Sequence, residues 1–174
     1  KMKIILIISM ILSSNSCDKE IISDDELTLD KTLYICNQLR IDGYYYTQFR
    51  DIYRIYFFYR DGTLFSGGDI YEDKLNEYEQ KYKDGRFWNA KKDNKLYWGL
   101  YNVNSADDIM IEKWYPSSGG GMPVYIHSGT ILNDTTFHIT KSVRPATGEK
   151  KSLDELYHFK AFSPKPDSTN NFIK

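Results

Sequence analysis

The groups able to do chemistry in this 174-residue chain are few: two thiols, three imidazoles and a large stock of aromatic rings. Cys17 follows the small and polar residues Ser13, Ser14, Asn15 and Ser16. The two cysteines are Cys17 and Cys36, and if Cys17 is modified Cys36 has no disulfide partner. No Cys–His arrangement marks it as a nucleophile, so it reads as a small buried hydrophobe. His127, His138 and His158 fall in three late segments, and three imidazoles can hold zinc. His138 and His158, however, alternate with apolar neighbours, which puts them on an outer, wet face, and no carboxylate or cysteine stands at ligand spacing. No metal or other cofactor is expected. Gly-x-Ser-x-Gly, the phosphate-binding loop and the metal-helix signature are all missing, and the carboxylates are scattered over solvated faces. No catalytic residue is expected, and a paired-acid hydrolase is a distant third reading.

The rings are the more informative set. Fifteen Tyr, nine Phe and three Trp make up 16% of the chain, and wide rings favour the pleated, half-buried surface of a strand. Tyr53, Ile55, Phe57 and Tyr59 share one face of such a strand, and Ile52, Arg54, Tyr56 and Phe58 share the other. Two largely apolar faces are unusual for a strand with one wet side. They imply either a ring-lined cavity for a flat or greasy ligand, with Tyr46, Tyr56, Phe58 and Trp98 in its wall, or core on one face and a helix or loop over the other. Trp88, Trp98 and Trp114 offer another use, a sugar-stacking platform. Trp98 and Trp114 lie in apolar strands and suit core packing, whereas Trp88 lies in a loop-like stretch.

The elements that position these rings are strands, expected at about 40–49, 52–60, 63–67, 96–103, 108–115, 123–132, 135–142 and 155–162. Asp61-Gly62 marks a tight hairpin, and Asn133-Asp134 and Asn104-Ser105-Ala106-Asp107 mark two more turns. Residues 71–83 break the pattern. Leu75, Tyr78 and Tyr82 recur at helical spacing among charged residues, Asp69 stands where a cap would, and Gly85 follows the end. Residues 116–121 form a Gly- and Ser-rich loop. Eight strands joined in sequence order imply a mostly β fold: an antiparallel meander barrel with one short amphipathic helix, or a β-sandwich built from the same strands.

The first sixteen residues read as a secretory signal: Lys1 and Lys3, an apolar run from Ile4 to Leu12, then small residues. The run is too short to span a bilayer. Ser14-Asn15-Ser16-Cys17 resembles a bacterial lipobox, and Asp18-Lys19-Glu20 resembles the charged tags of some surface lipoproteins. This resemblance implies cleavage before Cys17, palmitate-type acylation there, and a place in the cell envelope as an outer-membrane lipoprotein, periplasmic or surface-exposed. Several acyl chains suffice for stable anchoring. Residues 17–32 would be an acidic flexible tether, 33–163 the domain and 164–174 a disordered tail. The domain is similar to the lipocalin-like domains of small bacterial lipoproteins over roughly 39–162. The resemblance rests on Leu39-x-x-x-Gly43-x-Tyr45, Phe57 through Thr63, Trp98-Gly99-x-Tyr101 with Ile109-x-Ile111-Glu112, Gly129-Thr130-Ile131 and Phe137-x-Ile139. It implies a module that binds a small apolar molecule.

Removing the first sixteen residues leaves 158, enough for one domain that buries roughly two thirds of its unfolded surface. The net charge moves from −1 to −3 as Lys1 and Lys3 go. With a pI near 6.4 and no basic stripe, nucleic acid is not an expected partner. The expected partners are the membrane, through the anchor, and a small hydrophobic ligand; the alternative is a docking protein for a glycan or another protein, without an internal cavity.

Overall fold

The computed structural model describes residues 23–85 and 91–174. Eight strands close into an antiparallel barrel in which each pairs with the next and β8 returns to β1. They are β1 (Gly43–Phe49), β2 (Ile52–Phe58), β3 (Thr63–Tyr71), β4 (Trp98–Val103), β5 (Asp108–Trp114), β6 (Val124–Asn133), β7 (Thr136–Val143) and β8 (Lys150–Ala161). A short helix, α1 (Leu75–Lys83), follows one 3₁₀ turn after β3.

Local chemistry makes the hairpins. Gly62 takes φ +82° after Tyr59-Arg60-Asp61, a backbone region open to glycine at little cost. The Asp61 carboxylate accepts from both the backbone and the hydroxyl of Thr63. Asn104 Oδ1 accepts from the Ala106 and Asp108 amides, and Asn133 Oδ1 from Thr135, so each Asn holds its own turn. β3 runs four residues past its expected end, because the register of β2 shifts between Ile55 and Tyr56 and lets 68–71 pair with 52–55. β8 starts five residues earlier than expected, where Lys150 to Ser152 pair with Lys141 to Val143 at the barrel rim.

Closing the barrel sorts the rings into two cores. Inside lie Tyr45, Tyr56, Phe58, Leu64, Tyr101, Ile109, Ile111, Phe137, Ile139 and Tyr157, capped at one end by Tyr34 and Leu39. Tyr157 stacks on Phe137 at 4.7 Å and on Tyr56 at 5.3 Å, and Phe58 meets Tyr101 at 4.5 Å. Outside, Tyr44, Ile55, Phe57, Phe65, Ile70, Trp98, Leu100 and Trp114 form a second core. α1 covers part of it with Leu75, Tyr78 and Tyr82, whose hydroxyl donates to the Gly67 carbonyl. The two apolar faces of β2 are therefore lumen on one side and a helix-covered core on the other. Each buried ring contributes about 1.5–3 kcal/mol.

Both ends of the domain depart from expectation. Residues 23–32 were expected as a flexible tether, yet they form an extended strap against the barrel, with Leu27 and Leu29 turned onto the outer core. Glu112, fully buried on the outer side of β5, accepts from the Thr28 amide and hydroxyl and the Leu29 amide at 2.7–2.9 Å. Asp25 pairs with Arg144 at 3.1 Å and its carbonyl accepts from the Trp114 indole. Residues 164–174 were expected to be disordered. Instead Phe172 and Ile173 pack on the outer core, and Lys165 donates to the Ile41 and Phe58 carbonyls. The outer core leaves apolar area that both segments cover, and that burial orders them.

Candidate ligand-binding site

The rings fill only part of the lumen. Toward the end where β5 stops and β6 begins, the inward positions turn polar: Arg54 on β2, Lys113 on β5, His127 on β6, Ser142 on β7 and Glu155 on β8, with Tyr115 just beyond β5. All of these but Lys113 line an open cup of about 330 Å³, completed by Tyr125, Leu153, Glu149 and Lys151; the Lys113 ammonium lies against the Tyr115 ring of its wall. The stacked Tyr56–Tyr157–Phe137 rings belong to the packed core on its inner side.

The charges of the cup are largely matched. Arg54 reaches Asp69 at 3.1 Å through Nε and Glu155 at 3.2 Å through Nη1. Glu155 also accepts from the Tyr157 hydroxyl at 2.9 Å. The Tyr115 hydroxyl and His127 Nε2 are 3.2 Å apart. Burial, reinforced by Lys113, Arg54 and Lys151, pushes the His127 pKa down to about 4, so the ring is neutral at neutral pH. Burial likewise lowers that of Lys113 to about 8, with Arg54 adding repulsion. The phenols of Tyr56, Tyr115 and Tyr157 are pushed up by burial and stay protonated. The Tyr56 hydroxyl is buried and faces those of Tyr115 and Tyr157 without a partner in good hydrogen-bond geometry.

The four residues expected to line one cavity are not brought together. Tyr56 and Phe58 point into the lumen but belong to its packed core. Tyr46 and Trp98 lie on the outside: Tyr46 packs against Tyr44 and Tyr53, and Trp98 is fully buried against Phe65. The cause is the period of two. Tyr46 follows the inward Tyr45, Trp98 precedes the inward Gly99 and Tyr101, and neighbours on a strand face opposite ways. Trp114 is buried under the strap, and Trp88 and Cys17 lie outside the described residues. His127 faces the lumen while His138 pairs with Asp154 outside and His158 is exposed, so the wall of the barrel separates them. Among the described residues no group of three metal-ligating side chains forms. Cys36, expected in the core, is exposed; Tyr34 takes the buried place in that extended stretch, bonded to Leu39.

The residues that do line the cup left a signal in the sequence. Arg54 shares the face of Tyr56 and Phe58, Lys113 stands two places after Ile111, and Glu155 two before Tyr157. A charge at the inward position of an apolar strand is the mark of a lumen group. No described helix is long and apolar enough to cross a membrane. No known family model matches the chain, and no curated protein or solved structure matches it either.

Proposed function

We propose that this chain is a membrane-anchored, lipocalin-like binding protein that holds a small molecule in the open end of its barrel. The observation that carries this reading is the cup itself: about 330 Å³ of open space, walled by inward residues of several strands, in a barrel whose remaining lumen is filled by rings. That volume falls at the small end of the usual ligand-pocket range. The wall mixes Tyr115, Tyr125 and Leu153 with Arg54, His127 and Glu155. It suits a ligand with a flat apolar body and a polar end better than a long greasy chain. Cys17 carries the anchor in this reading, in the cell envelope. Asp25 is tied at the cup end of the barrel, to Val124 and Arg144. Eight residues of extended chain reach at most about 27 Å, so a lipid on Cys17 keeps the mouth near the bilayer.

Two measurements test the reading. In a fragment screen followed by amide NMR shifts, hits should move Tyr115, Tyr125, His127 and Leu153; hits confined to the outer surface, or none, refute the cup as a ligand site. Labelled palmitate should attach to the wild-type protein in bacterial cells and not to Cys17→Ser. Label persisting on that variant refutes the anchor.

A further inference from the structure

Lys113 stands against the Tyr115 wall of the cup and, unlike Arg54 and Glu155, has no ion-pair partner. Its side chain enters from β5 opposite Gly99 and beside Tyr125, and only 8% of the residue is exposed. The ammonium rests 4.3 Å from the centre of the Tyr115 ring, a contact that partly offsets the lost hydration. The carboxylates that face it are already engaged: Glu155 from β8 by Arg54 and Tyr157, and Asp69 from β3 by Arg54. The remaining charged or titratable neighbours are Arg54 from β2, His127 and Tyr125 from β6, and Glu149 and Lys151 at the rim. The buried Tyr56 hydroxyl, facing those of Tyr115 and Tyr157, belongs to the same end of the lumen. A buried ammonium without a partner is costly to keep, and an incoming negative charge removes that cost.

We infer that the cup takes a small aromatic carboxylate whose acid group supplies the counter-ion that Lys113 lacks, an inference that rests on the cup being the ligand site. The flat body lies against Tyr115, Tyr125 and Leu153. At roughly 30 Å³ for each displaced water, the cup empties about eleven waters to admit it, which suits a fused two-ring body. Burial lowers the Lys113 pKa to about 8, and the bound anion favours the protonated amine. Binding therefore takes up a proton at alkaline pH and weakens as pH rises above 8.

The test compares 2-naphthoate with its neutral amide, 2-naphthamide, by calorimetry on the full chain, as wild type, Lys113→Met and Lys113→Arg. Wild type should bind the acid at least tenfold more tightly than the amide at pH 7. That preference should fall below threefold in Lys113→Met and survive in Lys113→Arg. Between pH 7 and 9.5 the acid should lose at least fivefold in affinity for wild type and not for Lys113→Met. Equal binding of acid and amide by wild type, or a preference that survives Lys113→Met, overturns the role of Lys113 and leaves the cup standing. Failure of both probes to bind wild type overturns the cup as well. A thermal melt at or above that of wild type confirms that Lys113→Met is folded.

Discussion

Replacing Lys113 with Met should make the protein more stable, although it removes a side chain that is almost fully buried. Burial lowers the Lys113 pKa from 10.5 to about 8. At about 1.4 kcal/mol for each tenfold change in the protonation equilibrium, holding the charge inside costs roughly 3 kcal/mol at neutral pH. Met preserves most of the apolar stem, so the packing is largely kept. The cation–π contact with Tyr115 is lost, at about 1 kcal/mol. The net gain is therefore about 2 kcal/mol, or an increase of about 4–8 °C in Tm for a domain of this size. Its pH dependence has a definite sign. Below pH 8 the amine is protonated in the folded and the unfolded chain, and the penalty is full. From 8 to 10.5 the unfolded chain holds the proton and the folded chain releases it. Wild-type stability rises there, and the advantage of Lys113→Met shrinks toward zero. Urea titrations of both proteins at pH 7, 8.5 and 10, followed by tryptophan fluorescence, measure the difference, in which tyrosine ionisation cancels. A variant less stable than wild type at pH 7, or a gain that does not change with pH, would refute the claim that the charge is uncompensated.

Three further outcomes follow from the same reasoning. Glu112→Ala removes the carboxylate that holds Thr28 and Leu29, and should cost about 2–4 kcal/mol; hydrogen exchange should show the amides of 28 and 29 losing protection before the barrel does. His127 has its folded pKa at about 4 against 6.5 unfolded, so the unfolded chain binds its proton first as pH falls. Stability should drop by up to about 3 kcal/mol between pH 6.5 and 4, and His127→Gln should flatten that acid limb of the denaturation curve. Tyr56→Phe deletes a buried hydroxyl without a partner in good hydrogen-bond geometry, and should leave stability unchanged or raise it by about 1 kcal/mol; a loss of more than 1 kcal/mol in urea would show that the hydroxyl is satisfied.

Much of the architecture is local and so was legible from the residues alone. Eight strands, their order and the helix at 71–83 follow from alternation and from the Asp-Gly and Asn-led turns, because each turn is closed by side chains within a few residues of one another. The mostly β barrel, argued from strand count and tight connections, is the fold observed; the sandwich built from the same strands is not. The expected cavity was misplaced because alternation shows that a strand has two faces without showing which is inside. Tyr46 and Trp98 are as apolar as Tyr56 and Phe58, and only closure of the sheet puts the first pair outside. The order of the termini is hidden from the sequence for a related reason. The acidic strap is held by Glu112 and Arg144, and the tail by an outer core whose members are scattered from Tyr44 to Trp114.

By itself the sequence determined the order of the strands, the turns and the aromatic mass that drives collapse, since these depend on neighbours a few residues apart. Tertiary structure decided the site. Arg54, Lys113, His127 and Glu155 lie as much as a hundred residues apart, and each is an ordinary charged or titratable group on its own strand. Barrel closure turned all four into one lumen, gave Arg54 both carboxylates and left Lys113 with none. A lone buried charge is a property of the assembled wall, because the low dielectric and the distribution of partners exist only once the strands have met.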